Sequence, residues 1–294
     1  MLASIIIRTY NEEKHLSQLL ESISKQTQDK IKLETIIVDS GSTDKTLDFV
    51  SQFDTNIVNI DKKDFTFGRS LNIGCEAATG DFLVFISGHC IPANENWLEQ
   101  LVEPLINNDG VVYTYGRQIG NGQSRFSECQ LFNKYFPETS AVPQDGLFCN
   151  NANAALKKDI WKQFLFDESL TGLEDMELAR RLFNNGYSLG YVAEAPVYHL
   201  HDESWHKVRI RYEREAIALR HIMPEVHVRF RDFLRYYTSA VMMDMGTALN
   251  QRVLFKKFNE ILMFRLMQYW GGFRGNHEHR KLSEKLREEY FYPK

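Results

Sequence analysis

The first hundred residues alternate solid apolar runs with segments of helical periodicity, and this alternation constrains the fold more than any other feature. The first run, "ASIIIRT", is typical of a strand that is covered on both faces, and "LETIIVDS", "NIVNID" and "DFLVFIS" predict three further strands. A helical pattern follows each run, as in residues 11–25, and Ser42 is the predicted N-cap of the second helix. The sequence therefore predicts an α/β domain with a mostly parallel sheet flanked by helices.

The pattern loosens after residue 110. "VVYTYGRQIG" predicts a further strand, "EDMELARRLFNNG" predicts a helix that ends at Gly186, and "YSLGYVAEAPVYHLH" predicts extended chain. From about Trp205 the sequence becomes helical, basic and aromatic. We therefore predict a sheet domain over residues 1–204 and a helical C-terminal extension over residues 205–294.

Charge divides unevenly between these two parts. Residues 205–294 carry 18 Lys and Arg against 10 Asp and Glu, whereas residues 1–204 carry 17 against 29. The acidic body argues against nucleic acid as a partner, and the basic tail fits packing on the body, an anionic membrane surface or a partner subunit. The four cysteines form no CxxC pair, and the chain shows neither a signal-peptide pattern nor a membrane-spanning apolar run. We expect a cytoplasmic protein.

Polar residues follow three of the predicted strands. They are Thr9, Tyr10, Asn11 and Glu12 after the first strand, Asp39 and Ser40 after the second, and Ser87, Gly88 and His89 after the fourth. Ligands of open parallel sheets bind beyond the carboxyl ends of strands, so we expect these residues to form one site. The absence of GxGxxG and GxxxxGK[ST] argues against a dinucleotide or a P-loop. Asp39 either accepts hydrogen bonds from a base or ribose, or caps its turn.

Five motifs in order resemble the family 2 glycosyltransferases of GT-A fold, over about residues 2–201. They are "SIIIRTYNEE", "IIVDSGSTDKT", "AATGDFLVFIS", "NNANAALKK" and "GLEDMELARRLFNNGY". The resemblance implies a Rossmann-like sheet, a nucleotide-sugar donor and inversion at the anomeric carbon. It also implies that the residues after the strands bind the nucleotide, namely Thr9, Tyr10, Asn11, Glu12, Ser40, Ser87 and Gly88. In addition, it implies that Asp39 reads the base, commonly uracil, and that Arg69 lies nearby.

The resemblance fails at the end of the fourth strand. The family usually has an Asp-x-Asp motif there, whose last acid binds Mn²⁺ or Mg²⁺, whereas this chain has Ser87-Gly88-His89. His89 stands where that acid would stand, and neutral imidazole is a good ligand for Mn²⁺. Family members often place another ligand late in the fold, where His199 and His201 share one side of a strand, with His201 favoured. We expect a divalent metal, Mn²⁺ rather than Mg²⁺; the alternatives are direct contact of His89 with a phosphate and a purely structural histidine.

Glu174 and Asp175 begin a predicted helix, whose positive end stabilises carboxylates. The resemblance makes Asp175 the general base and gives Glu174 the positioning of the acceptor or its loop. Asn151 and Asn153 precede that helix, and their amides suit sugar hydroxyls or a diphosphate. Trp97 is a further candidate sugar contact, with packing as its other interpretation.

These observations predict an inverting glycosyltransferase of the hexosyltransferase type. The donor is a UDP- or dTDP-sugar, with GDP-mannose left open, and the acceptor is a polysaccharide such as capsule or O-antigen, or a lipid-linked glycan. The enzyme would act at the inner face of the cell membrane if its tail contacts lipid, and a homo-oligomer is left open.

Two other functions compete with this prediction. A nucleotidyltransferase would need a basic, glycine-rich loop after the first strand, which "RTYNEE" does not supply. The alternative is an inactive, sugar-nucleotide-binding scaffold. The missing Asp-x-Asp motif favours it, and the retained Glu174-Asp175 pair and the histidines argue against it.

Overall fold

The computed structural model describes residues 1–277 and 289–292. Its contacts define a sheet unit, Met1–Asn121, Phe132–Ser169 and Glu174–Leu200, and a helical unit, Gly122–Leu131, Leu170–Leu173 and His201–Lys294. The helical unit thus includes two segments that precede the predicted extension. Arg211 Nη2 lies 3.2 Å from Glu128 Oε1, and Thr171 Oγ1 donates to the Arg214 carbonyl at 3.2 Å, which explains why they belong to it. Residues 278–288 and 293–294 of the predicted extension lie outside the described residues.

One sheet forms the centre of the sheet unit. Its strands are β1 (Leu2–Thr9), β2 (Lys32–Asp39), β3 (Asn56–Asn59), β4 (Phe82–Ser87), β5 (Cys90–Pro92), β6 (Val111–Ile119), β7 (Asn153–Lys157) and β8 (Ser188–His199). Their spatial order is β3-β2-β1-β4-β7-β6-β8-β5. The four strands predicted from the first hundred residues are parallel, as is β6 with β8, whereas β7 runs antiparallel to both its neighbours and β5 to β8.

Helices follow the strands as the alternation predicts. They are α1 (Leu16–Ser24), α2 (Thr46–Val50), α3 (Phe67–Ala77), α4 (Trp97–Asn107), α5 (Phe126–Tyr135), α6 (Lys158–Gln163) and α7 (Glu174–Asn184). The chain after α7 turns at Gly186 with φ 83°, as predicted. The prediction that Ser42 caps α2 is wrong, because α2 begins at Thr46 and the Ser42 hydroxyl donates to Asp39 instead.

The helical unit contains α8 (Trp205–Ile222), α9 (Phe230–Asn250) and α10 (Leu254–His277). Two glycines of α10 let the α8 backbone approach closely: a Cβ on Gly275 would lie 2.1 Å from the Glu213 carbonyl oxygen, and one on Gly271 2.4 Å from that of Arg209. None of the helices in the described part of the chain has both the length and the apolarity needed to span a bilayer.

We expect Gly275→Ala to lower the free energy of unfolding by about 1–3 kcal/mol, because the added methyl group would collide with the α8 backbone. Gly272 is the matched control, since a Cβ there meets nothing within 4 Å. Gly272→Ala should stabilise the helix by about 0.5–1 kcal/mol. Urea unfolding followed by circular dichroism measures both, and equal effects would contradict a tight α8–α10 contact.

Candidate functional site

The carboxyl ends of β1 and β2 lie side by side, and hydrogen bonds join the loops that follow them. Thr9 pairs with Asp39 in the sheet register, and its hydroxyl donates to Asp39 Oδ1 at 3.0 Å. Asn11, at φ 56°, accepts at Oδ1 from the Thr43 N–H at 2.8 Å, and its own N–H donates to Ser42 Oγ at 2.9 Å. The structure therefore brings together the residues that the sequence placed at these two strand ends.

The carboxylate of Asp39 is buried and is satisfied by the turn that follows it. Its oxygens accept hydrogen bonds from the Thr9 hydroxyl at 3.0 Å, the Ser42 hydroxyl at 2.5 Å, and the N–H groups of Gly41 and Ser42, both at 2.9 Å. A carboxylate has about four lone-pair positions, so these four bonds occupy them. This geometry favours the turn-capping interpretation, and recognition of a base by Asp39 stays a prediction.

Three further residues predicted to contact the nucleotide lie around these loops. The Ser40 hydroxyl donates to the Thr9 carbonyl at 3.2 Å, which holds the β2 turn against β1. The ring centroid of Tyr10 lies 5.4 Å from Lys62 Nζ. Arg69 is exposed in the first turn of α3, where its N–H donates to Thr66 Oγ1 at 3.1 Å. An exposed guanidinium at that position can reach a ligand without loss of packing.

The end of β4 places His89 next to the loop after β1. Ser87 is the last residue of β4 and lies opposite Arg8 of β1. A Cβ on Gly88 would lie 3.0 Å from Glu12 Cγ, so glycine makes room for the Glu12 side chain. The Glu12 Oε1 and His89 Nδ1 atoms are 3.1 Å apart. Glu12 therefore orients His89, and binding of the nucleotide by Glu12 stays a prediction.

The three candidate metal ligands lie close together. His89, His199 and His201 each offer one ring nitrogen, and these three nitrogens all lie within 4.8 Å of one another. The β5–β8 register pairs Cys90 with His199, which sets the His89 and His199 ring centroids 5.2 Å apart, and His201 follows two residues later. The sequence prediction therefore identified residues that the structure groups.

A side-chain oxygen holds one ring nitrogen in each of the other two histidines as well. The Nδ1 atom of His199 lies 2.6 Å from Gln118 Oε1, and that of His201 lies 2.7 Å from Glu128 Oε1. Burial, helped by the charge of Arg211, lowers the pKa of His201 and favours its neutral form. Fixed Nδ1 atoms and neutral rings are the usual surroundings of metal-binding histidines.

Asp175 and Glu174 begin α7 and are buried, with 7% and 4% of their surfaces exposed. Asp175 Oδ2 accepts from the Asn151 N–H and Oδ1 from the Met176 N–H, both at 2.8 Å. Burial, and secondarily the charge of Glu174, raises the pKa of Asp175 to about 7. A carboxylate that titrates near neutral pH is suited to accept a proton from a hydroxyl group.

Arg8 contacts this pair, although it was not predicted as a site residue. Its Nη1 lies 3.3 Å from Glu174 Oε1, and its guanidinium carbon lies 5.2 Å from the centroid of the Phe67 ring. The signal in the sequence was a single charge inside an apolar run, since "SIIIRT" places Arg8 one residue before the end of β1. Gln118 and Glu128 gave no such signal.

The three candidate sugar contacts differ in the structure. The Asn153 amide donates to the carbonyls of Arg117 and Ala195 at 3.1 and 2.9 Å, and its Oδ1 accepts from Trp97 Nε1 at 2.9 Å. Both Trp97 and Asn153 are 0% exposed. These two side chains satisfy each other inside the core, so we correct the prediction and withdraw both as sugar contacts.

Asn151 keeps its candidacy. Its Oδ1 accepts from the Tyr113 hydroxyl at 2.5 Å, next to the bond from its backbone N–H to Asp175. Its Nδ2 is buried and finds no acceptor among the residues that the structure describes. A buried amide donor without a partner is costly, and a ligand oxygen would satisfy it.

Comparison with known proteins gives matches over most of the chain. The model of the family described as "Glycosyl transferase family 2" matches residues 4–165. The O-antigen chain rhamnosyltransferase WbaN of Salmonella anatum is 30% identical over 211 residues, which cover 68% of this chain and 66% of that protein. The O-antigen chain rhamnosyltransferase RfbN of Salmonella typhimurium is 29% identical over 218 residues, 69% and 67% of the two chains. The chain thus spans about two thirds of these relatives' lengths.

Two solved structures are similar over nearly the whole chain. The mannosyltransferase PcManGT from Pyrobaculum calidifontis, in complex with GDP-Man and Mn²⁺, has a TM-score of 0.60 at 17% identity and covers 93% of this chain and 84% of its own. Residues 1–349 of S. aureus TarS, in complex with UDP-GlcNAc, have a TM-score of 0.54 at 15% identity, with coverage of 97% and 95%. These similarities confirm the predicted GT-A fold.

Proposed function

The chain belongs to glycosyl transferase family 2, and on this premise we propose that it transfers a sugar from a nucleoside diphosphate to a hydroxyl group, with inversion at the anomeric carbon. The observation that carries the proposal is Asp175, a buried carboxylate whose pKa is raised to about 7. A line of contacts relates it to the strand ends: Glu174 precedes it, Arg8 pairs with Glu174, and β1 continues from Arg8 to the loop that holds Glu12.

In this proposal Asp175 accepts the proton of the acceptor hydroxyl as that oxygen forms a bond with the sugar's anomeric carbon. The bond from that carbon to the diphosphate breaks on the opposite face, and the nucleoside diphosphate leaves with the bonding electrons. The Asn151 N–H holds Oδ2 of Asp175, and its buried Nδ2 offers a hydrogen bond to a sugar or acceptor oxygen. Glu174, held by Arg8, positions the start of α7 and the acceptor.

The acceptor is proposed to be a polysaccharide of O-antigen or capsule type, or a glycan carried on a lipid. Support comes from the two relatives, which are named O-antigen chain rhamnosyltransferases. The donor is proposed to be a UDP- or dTDP-sugar; similar structures contain UDP-GlcNAc in one case and GDP-Man in the other, so a GDP-sugar is the next choice. An enzyme with a lipid-borne acceptor works at a membrane surface, and the basic helical unit is the part suited to contact it.

We also propose that His89, His199 and His201 hold a divalent metal ion. When bound, such an ion would supply positive charge to the diphosphate oxygens of the donor. Three imidazoles, each with Nδ1 fixed by an oxygen, fit a first-row transition metal, whereas Mg²⁺ prefers oxygen ligands. Nitrogen sites bind Mn²⁺ less tightly than Co²⁺ or Ni²⁺, so these two ions should bind at least as well as Mn²⁺.

Calorimetric titration of nucleotides into metal-free protein tests the donor and metal proposals together. We expect Mn²⁺ to strengthen the binding of UDP or dTDP by about tenfold or more, since an ion held by the three histidines would supply positive charge to the diphosphate. Mg²⁺ should give a smaller gain, because nitrogen ligands disfavour it. His89→Ala should remove the gain, and His221→Ala, which changes an exposed histidine of α8, should leave it intact.

Each other outcome points elsewhere. Equal binding with and without metal would contradict the metal proposal and favour direct contact of His89 with phosphate. Failure of UDP, dTDP and GDP to bind under any condition would favour the inactive scaffold. Binding of Co²⁺ alone, followed by its absorption spectrum, reports on the histidine site even in the absence of a nucleotide.

A further inference from the structure

The outward face of α9 has no charge over about four helical turns. From Tyr236 to Gln251 the one charged residue is Asp244, and it is buried in an ion pair with Arg265, Oδ2 to Nε at 2.7 Å. Met242, Met243 and Leu249 lie on the outside of this stretch, with 72%, 70% and 61% of their surfaces exposed. A helix face in contact with water normally carries charged residues, so this face is suited to something less polar than water.

The turn from α9 to α10 adds a protruding aromatic ring and two cations. Phe255 is 99% exposed, and Arg252 and Lys256 beside it are exposed as well. The turn has a defined geometry, because the Val253 N–H donates to the Ala248 carbonyl at 2.9 Å and the Arg252 N–H to the Leu249 carbonyl at 3.0 Å. Phe255 and the two cations are therefore held at one end of the α9–α10 hairpin, where α9 ends just after Leu249, and Met242 and Met243 lie about two turns earlier on α9.

Arg252 occupies an unusual backbone position in this turn. Its φ is 59°, in the left-handed region where helix-ending turns usually have glycine. An arginine there is strained relative to glycine, so its presence is not explained by stability. Strain of this kind is a reason to look for a role of the side chain.

We infer that this end of the hairpin docks on a membrane surface that carries anionic lipid headgroups. The docking patch consists of Met242, Met243, Leu249, Arg252, Phe255 and Lys256. Its apolar side chains enter the interface between headgroups and acyl chains, and its cations meet the phosphates. The inference rests on the proposed function, because it gives the enzyme its place beside a lipid-borne acceptor.

Charge favours a lipid surface over a second copy of the chain. In a symmetric dimer through this patch, Arg252 and Lys256 of both copies would approach one another, and like charges would oppose the contact. An anionic surface instead attracts them. The excess of basic over acidic residues after residue 204, 18 against 10, acts in the same direction.

Sedimentation of the full chain with lipid vesicles tests the inference. We expect binding to phosphatidylcholine vesicles that contain phosphatidylglycerol, weakening at high salt, and little binding to phosphatidylcholine alone. Phe255→Ser should weaken binding about tenfold through loss of apolar contact. Arg252→Gly should weaken it about fivefold through loss of one cation, while the melting temperature stays the same or rises because the turn is relaxed.

Phe183→Ser and Lys162→Gln are the matched controls, since both residues are exposed in the sheet unit, and neither change should alter vesicle binding. Folded wild-type protein that ignores anionic vesicles at low salt overturns the inference, as do controls that weaken binding equally. Analytical ultracentrifugation tests the remaining occupant, a second copy of the chain. If the wild type is a dimer that Phe255→Ser dissociates, and if that change leaves vesicle binding intact, the patch is a dimer contact and the inference is overturned.

The nucleotide titration contains no lipid, so the two proposals fail separately. Phe255→Ser should bind nucleotide and metal as the wild type does. A wild-type protein that binds nucleotide but not anionic vesicles would contradict the docking patch alone. A wild-type protein that binds vesicles but no nucleotide would contradict the proposed transfer reaction alone.

Discussion

Asp175→Asn is expected to reduce sugar transfer by about 10²–10⁴-fold while the protein keeps its fold and its nucleotide binding, because a general base contributes a factor of this size. The amide has nearly the same shape, and its oxygen can still accept the hydrogen bond from the Asn151 N–H. Its NH₂ group cannot accept the second bond, from the Met176 N–H, and the side chain cannot take up a proton at neutral pH. Release of nucleoside diphosphate from the donor that titration identifies measures the loss. Asp159→Asn, at an exposed carboxylate in the first turn of α6, is the matched control and should transfer sugar normally.

The pH dependence of kcat/KM in the wild type is a second test of Asp175 as the general base. The base must be ionised, so kcat/KM should rise with pH and level off above about 7, the value to which burial and Glu174 raise the pKa of Asp175. A raised pKa means that ionisation is harder in the folded than in the unfolded chain. This group therefore costs stability as the pH rises from its ordinary pKa through about 7.

Asp175→Asn removes that cost and loses the hydrogen bond from the Met176 N–H, so the two effects oppose each other and the change in thermal stability above neutral pH should be small. Unchanged transfer by the variant would contradict the general-base role. Loss of both stability and transfer would show that Asp175 is needed for the fold, and the assay would then say nothing for catalysis.

The sheet's first half could be predicted from the sequence because its signals are local. The first four strands are apolar runs separated by amphipathic helices, and each run corresponds to an observed strand. The strands that were not predicted lack such a signal: β7 reads "NAALK", with residues that are poor strand formers, and it forms because β4 and β6 lie on either side. The three residues of β5 are too few for any periodicity.

In the candidate site, likewise, some residues could be predicted from the sequence and others could not. Strand ends could be located because topology gathers them, which brought Thr9, Asp39 and His89 into the prediction. The partners of these groups depend on register between distant segments, and no local pattern in the sequence identifies them. Gln118 and His199, which are 81 positions apart in the sequence, are one such pair. The same reasoning explains Trp97, whose bond to Asn153 inside the core cannot be read from either residue's neighbours.

Arg8 should affect both stability and the pH profile. Arg8→Met leaves the buried carboxylate of Glu174 without its cation, and we expect the free energy of unfolding to fall by about 2–3 kcal/mol. This lies just below the range of about 3–5 kcal/mol for a broken buried pair, because 22% of the Arg8 side chain is exposed. The positive charge of Arg8 lowers the pKa of Asp175, so its removal should also move the midpoint of kcat/KM above about 7.

The double variant Arg8→Met/Glu174→Gln separates the two effects. This variant has no unpaired charge at position 174, so the free energy of unfolding should recover. It also lacks the Glu174 charge that raises the pKa of Asp175, so the pH midpoint of kcat/KM should fall back. Arg181→Met breaks the neighbouring pair with Glu177 on α7 and is the matched control, which should cost some stability and leave the midpoint in place. If Arg8→Met lowers stability with no change in the midpoint, Arg8 only supports the fold. A shift that the double variant reverses establishes that Arg8 and Glu174 together set the pH at which Asp175 accepts a proton.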